Sequence, residues 1–385
     1  GEKPLELEGD QVDLENRSLN HEVIKIFGSP AKIRDQRFKL EGKEIYFDRG
    51  ENHARVDGSG WMKFPIPNQA QMPPGMEGMA NRDLNVHWDE SMNFDGQNAE
   101  FVGRVEAKLG LAIMHCEQMK VQLIERISFQ STTLESNPAL KIIHCHQNVR
   151  FENSTYSEKK LIDKYRGRVG EFEWNHSTGD VIAQGPGEVQ LWRRQQKGSS
   201  GFAPKDTIQA NRPIPVEIAE WDYTRIQFEG KLTGHVDGDL NGSSERQTAT
   251  IDDRVEVIHG PVRLPNEKVD QDDLPSKAGT MRCDKLQFMN YPKTKRNPVE
   301  YRQLIGIGNA EVEGQVDGRR FTASADDISF DGSKGLYILL AHGKRNARLT
   351  EIGSSNIAGR RIEFNPQLRS LRGDQVIEGQ GSQSQ

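Results

Sequence analysis

No stretch of about 18 consecutive apolar residues occurs anywhere in this chain of 385 residues, which excludes a membrane-spanning helix. An excess of basic charge is missing too. The 51 Lys and Arg stand against 57 Asp and Glu, a net charge of −6, and that balance argues against a nucleic-acid binder. Cysteine is scarce. Three (Cys116, Cys145, Cys283) cannot all pair within one chain, so they supply no disulfide framework. The continuous Val/Ile/Leu runs of a buried parallel sheet are absent, which fits poorly with a parallel α/β enzyme. Convincing helical periodicity is also lacking. Its best candidate is residues 154–165, where Glu158 and Leu161 are placed as in a short capped helix. The sequence starts at Gly1 with neither Met nor an apolar leader and falls at once into alternating residues. We therefore expect a piece of a longer or processed chain. Apolar residues make up only 34%, and 37 glycines account for much of the shortfall against an ordinary globular composition. Such a composition suits thin sheets with one wet face.

What is present is alternation of period two. Phe38 and Leu40 lead into Ile45 and Phe47. Met114 and Cys116 lead into Met119, Val121 and Leu123. Phe321, Ala323 and Ala325 lead into Ile328 and Phe330. Each reads as a half-buried antiparallel strand. Hairpin signals punctuate them, with Asp-Gly at Asp57, Asp95, Asp237, Asp317 and Asp331, and Asn-Gly at Asn241.

The strands repeat. One unit places a small residue, two variable residues, then apolar, polar, apolar. It occurs as Gly42 with Ile45 and Phe47, Cys116 with Met119 and Val121, and Cys283 with Leu286 and Phe288. It returns as Ala325 with Ile328 and Phe330, and Gly359 with Ile362 and Phe364. A second unit opens on Gly28, Gly58, Gly185 or Gly308 and runs into an alternating strand. The physical reading is a strand that bends at the small residue and continues. Repeated bent strands stack into a jellyroll or solenoid that no single unit stabilises alone. Residues 65–82, 195–215, 264–279 and 290–298 lack core periodicity and are expected to be exposed loops. The domain reading is a first lobe over 1–195, a second over 216–378, and a disordered tail over 379–385.

These segments resemble the OstA-like (organic solvent tolerance) domain of the lipopolysaccharide-transport bridge. The resemblance is carried by Phe27 to Ala31, Phe38 to Asp48 and Asn52 to Gly60. It is carried again by Gly308 to Ala310, Phe321 to Asp331 and Asn346 to Leu349, with a weaker copy at Gly170 to Trp174 and Asp180 to Gly187. It implies an all-β fold, a V-shaped or taco-like β-jellyroll of about two lobes, in the bacterial periplasm or cell envelope. It implies a groove that shelters the acyl chains of lipopolysaccharide or a similar amphiphile. Other OstA-like envelope proteins would join by β-strand addition. The chain is longer than the single compact jellyroll of that bridge.

Physical chemistry points the same way, since a lipid chain completing a thin core gains about 0.8 kcal/mol per buried methylene. The groove candidates are the inward set: Phe38, Leu40, Ile45, Phe47, Met119, Val121, Phe321, Ile328 and Phe330. The plainer alternative is that these residues pack against the opposite sheet. Residues 341–373 hold seven basic residues against two acids. Lys344, Arg345, Arg348, Arg360 and Arg361 are therefore candidates for a basic rim that holds lipid phosphates, or else a solvated strand face.

Other motifs carry less. In a strand His144 and His146 share a face and Cys145 points the other way, so the three cannot ligate one ion, and two His alone lack a third ligand. Cys116 and Cys283 occupy the small-residue slot and read as packing residues. Gly306 and Gly308 lack the third glycine and the helix of a dinucleotide loop. Asp326 and Asp327 are expected on opposite strand faces, poor geometry for paired acid–base work. The expectation is a non-enzyme without cofactor or metal and without nucleic-acid partners. Two rival functions remain, a dry envelope scaffold and a carbohydrate-binding solenoid. The latter would use Trp61, Trp88, Trp174, Trp192 and Trp221 as exposed platforms.

Overall fold

The computed structural model describes residues 5–18, 21–34, 38–65, 83–130, 140–157, 159–194, 220–236, 247–291, 301–316, 318–343, 345–352, 355–366, 368, 370–376 and 378–381. Every regular element among them is a β-strand. Among the described residues no helix is long and apolar enough to cross a membrane.

The strands are β1 (Glu6–Glu8), β2 (Gln11–Ser18), β3 (His21–Arg34), β4 (Lys39–Asp48), β5 (His53–Pro65), β6 (Asp83–Trp88), β7 (Ser91–Phe94), β8 (Asn98–Leu109), β9 (Ala112–Leu123), β10 (Leu140–Ser157), β11 (Lys160–Asn175) and β12 (Asp180–Gln184). They continue as β13 (Gly187–Arg194), β14 (Trp221–Phe228), β15 (Lys231–Val236), β16 (Gln247–Val262), β17 (Gly279–Tyr291), β18 (Tyr301–Val316), β19 (Arg319–Asp331), β20 (Leu336–Leu340), β21 (Ala347–Glu351), β22 (Ser355–Gly359), β23 (Arg361–Asn365), β24 (Ser370–Asp374) and β25 (Glu378–Gly381). The chain forms two compact units. One comprises Gly1–Thr155 and Gly167–Ala183, the other Tyr156–Arg166 and Gln184–Gln385. The expected linker over 195–215 lies outside the described residues.

In the first unit β3, β4 and β5 pair antiparallel in chain order. The two halves of β3 take separate outer partners, β1 and β2. The two halves of β5 take β6 and β7, and both of these pair with β8, which continues into β9 and β10. The second unit runs β13, β14, β16, β17, β18, β19, again antiparallel throughout. There β15 takes the other half of β16, and β19 divides between β20 and β21. These continue separately into β23 with β24 and into β22 with β25.

Why the long strands split is visible at the small-residue slot. Opposite Cys116 the ladder slips on both sides, between Val102 and Val105 of β8 and between His146 and Arg150 of β10. Opposite Cys283 it slips in β16 between Asp252 and Val255 and in β18 between Ile307 and Glu311. The same β18 bulge faces Ala325 of β19. Gly42 pairs with Ala31 and Gly60 beside slips in β3 and β5. The two sequence units are therefore two sides of one feature: a bulge opposite a small residue. Four bulges contain a consecutive pair in the left-handed region, Gly103 with Arg104, Gln147 with Asn148, Asp253 with Arg254 and Gly308 with Asn309. Such pairs sharpen the local bend and twist. Gly42 has no room for more, because a Cβ there would sit 2.3 Å from Val56 Cγ1. The slot also shifts the phase of burial. In β4 Leu40 and Gly42 face inward, and then Ile45 and Phe47 do, three positions on rather than two.

Several expectations are corrected. Residues 154–157 and 160–165 are the end of β10 and the start of β11, not a helix. Asp57-Gly58 lies in the β5 bulge, whereas Asp95-Gly96 and Asp331-Gly332 do make turns. Asp317 lies outside the described residues, although Val316 and Arg319 pair across it, and so do residues 237–246. The first residues of the expected tail form β25, with Ile357 facing Gly379. Residues 264–278 are irregular and mostly exposed as expected, but Val269, Leu274 and Ala278 within them are buried. Residues 66–82 and 292–298 lie outside the described residues.

Candidate functional site: the enclosed apolar faces

All nine inward candidates are buried. Ile45 and Ile328 are fully buried, and the most exposed, Phe38 and Val121, retain 6%. In the first unit the bend brings Phe38, immediately before β4, against the far end of that strand. Phe38 and Phe47 have ring centroids 6.3 Å apart, where nine straight residues would span roughly 30 Å. In the second unit the two ends of β19 meet on one ring: Tyr337 lies 5.9 Å from Phe321 and 4.8 Å from Phe330. Phe364 closes on Phe321 at 5.3 Å. A bent strand thus encloses its own apolar face.

An irregular segment packs onto the strands of each unit. In the first unit it is the chain after β9, where Ile127 and Phe129 are buried between exposed neighbours. Phe129 stacks on Phe47 at 4.5 Å, Phe94 at 5.8 Å and Phe38 at 6.0 Å. Polar contacts hold it there. The Phe129 N–H donates to Asn52 Oδ1 at 2.8 Å, Arg49 Nε donates to the Phe129 carbonyl at 3.2 Å, and the Ile127 N–H donates to Gly96 O at 2.7 Å. In the second unit Val269, Leu274 and Ala278 pack with Trp192, Trp221, Tyr223 and Ile258. Trp192 Nε1 donates to Glu267 O at 2.6 Å. The Glu267 carboxylate accepts the Arg263 and Leu264 N–H groups at 2.8 and 3.0 Å. Sequence reasoning passed over Phe129 because one aromatic residue outside an alternating run carries no periodic signal.

The basic candidates divide. Arg345 and Arg348 are exposed, and Arg345 Nη1 donates to Asn309 Oδ1 at 3.3 Å. Arg361 is bound to Glu363 through Nε and Nη2, at 3.1 and 2.7 Å, and that guanidinium holds the Glu363 carboxyl below its ordinary range. Arg360 donates to the Gly343 carbonyl. Lys344 lies outside the described residues. Among the described members of this set, Arg345 and Arg348 are the exposed ones.

Four of the five tryptophans, Trp88, Trp174, Trp192 and Trp221, are buried, and Trp61 is half-buried with its ring 6.1 Å from that of His87, so they form no row of exposed platforms. Asp326 and Asp327 are not separated either. Asp326 Oδ2 accepts the His342 N–H at 2.6 Å, and Asp327 Oδ2 lies 2.7 Å from His342 Nε2, because the strand bends between Ala325 and Ile328. Gly306 and Gly308 lie within β18, with Gly308 in its bulge. All three cysteines are free and buried. The adjoining Cys116 thiol and burial push Cys145 upward, and burial pushes Cys283 up to about 12.

His144 and His146 have a third polar neighbour beyond their own strand. Cys145 does face inward, with Sγ 3.2 Å from Met114 Sδ. The two imidazoles lie together on the other face, ring centroids 3.9 Å apart. Glu171 of β11 reaches them, with Oε1 3.5 Å from His146 Nδ1. The His176 N–H donates to Lys141 O, and counting inward along both strands from that bond sets Glu171 across from His146. The third group comes from the next strand, where no sequence spacing marks it.

No protein-family model matches this chain, and no curated protein matches it. A functional reading therefore stands on the enclosed faces themselves.

Proposed function

We propose that the protein is an envelope lipid-binding or lipid-transport component of the periplasm. It shelters the acyl chains of lipopolysaccharide or a similar amphiphile between the arms of its bent strands. The supporting observation is the enclosure of one strand's face by its own bend, Phe38 against Phe47, beneath Phe129 of the segment that follows β9. An acyl chain would displace Phe129 and take over its apolar contacts at about 0.8 kcal/mol per methylene. The all-β architecture is common to this reading and to its rival. Arg345 and Arg348 would meet anionic headgroups. Partners would add at β2, whose residues are all exposed and which carries Leu14 outward at 67%.

A dry scaffold is the second reading, favoured by how fully the inward residues are already buried. A photo-crosslinking residue at Phe47 or Phe330, with lipopolysaccharide vesicles as the probe, separates the two. Labelling at both inward positions and none at exposed Lys43 supports lipid binding. No labelling at either inward position leaves the scaffold.

A further inference from the structure

The pair of imidazoles and the carboxylate on the outer face of β10 and β11 remain to be explained. The ligand atoms of His144, His146 and Glu171 all lie within 4.8 Å of one another. Zinc bound at 2.0–2.1 Å in a tetrahedron sets its ligands about 3.4 Å apart, and the 3.5 Å between His146 Nδ1 and Glu171 Oε1 already matches that spacing. The remaining gap closes by rotation of side chains that are only half-buried or exposed.

We propose that His144, His146 and Glu171 bind a divalent transition-metal ion of borderline softness, such as Zn2+, leaving a fourth position to water. Two imidazoles and a carboxylate form a donor set such ions accept, whereas Mg2+ and Ca2+ require oxygen-rich shells. The surroundings suit a cation. His144 is half-buried and lies directly against His146 on this face. Glu173 adds negative charge nearby. Lys120 opposes it from β9, but its Nζ is paired with Glu100 Oε1 at 3.3 Å. Cys145 takes no part, since its sulfur is buried on the other face. The ion would tie β10 to β11 within the first unit.

The test uses the tag-free full chain, stripped with chelator and titrated with Zn2+ and, separately, Mg2+. The expected result is one saturable Zn2+ site, no Mg2+ site, and a thermal midpoint raised by several degrees with excess Zn2+. His146→Ala and Glu171→Gln should each weaken Zn2+ binding by about tenfold or more. His342→Ala, in the second unit, should leave it unchanged. Co2+ in place of Zn2+ should give visible absorption bands of a low-coordinate site. Glu171 is exposed, so Glu171→Gln reports even where a histidine variant fails to fold. Absence of saturable Zn2+ binding overturns the proposal, as does Zn2+ binding that Glu171→Gln leaves intact.

Discussion

Phe38, immediately before β4, and Phe47, near its far end, stand nine positions apart, yet their rings lie 6.3 Å apart. No straight strand permits this. The turn-back is made at Gly42, where the neighbouring strands bulge and where a Cβ would collide with Val56.

Gly42→Val should therefore destabilise the protein by about 1–3 kcal/mol through overpacking. Cys116→Ala, at the equivalent slot of β9, should cost less than about 2 kcal/mol. Urea midpoints of the two variants against the parent check this. Equal midpoints would mean that the slot does not select for size.

The segment carrying Phe129 should respond to its polar tether. Asn52 sits at φ 57° and accepts the Phe129 N–H. Asn52→Gly keeps the backbone freedom and loses the bond, at a cost of about 1 kcal/mol. Asn52→Ala loses both and should cost about 2 kcal/mol. Phe129→Ala removes the ring itself, at about 3–5 kcal/mol. The rank order in chemical denaturation, rather than any single value, is the check.

Stability should fall with acid before the carboxylates titrate. His259 is buried, with its Nδ1 2.8 Å from Thr224 Oγ1, and burial lowers its pKa to about 3. The unfolded chain protonates it near 6.5, so the unfolded state binds more protons at any pH between these values. Stability contributed by keeping this ring neutral is complete above about pH 6.5 and declines as pH falls. The slope is at most about 1.4 kcal/mol per pH unit for one histidine. His259→Gln should flatten the denaturation profile between pH 6.5 and 5. The depressed carboxyls of Asp48 and Asp95 act only at lower pH, where they protonate.

Thiol chemistry should be silent in the native state. Cys116, Cys145 and Cys283 are buried, and the Cys145 and Cys283 thiols are pushed upward. An aromatic disulfide reagent at pH 8 should label none quickly and all three after denaturation. Rapid labelling of the native protein would place a thiol at the surface.

The strands and the bends were legible in the sequence because burial alternates along them and glycine, alanine or cysteine marks each slot. Cys116 and Cys283 could be read as packing residues for that reason. The segment at 154–165 misled because Leu161 and its neighbours fit a short helical pattern, while the pairing that makes them strand lies elsewhere in the chain. Val269, Leu274 and Ala278 sit in irregular chain, where burial follows contact rather than period. Glu171 completes the histidine cluster from another strand, so no local spacing could announce it.

The bulges have a consequence for how this fold tolerates change. Gly103-Arg104, Gln147-Asn148 and Asp253-Arg254 have little chemistry in common, yet each supplies one residue more than the facing strand. Curvature here is written as a residue count. Removing one residue at such a point would even the ladder and flatten the sheet, while exchanging one polar residue for another would leave the bend in place. Lineages of this chain could therefore drift widely in identity at the bends, provided that the arithmetic of strand lengths is kept.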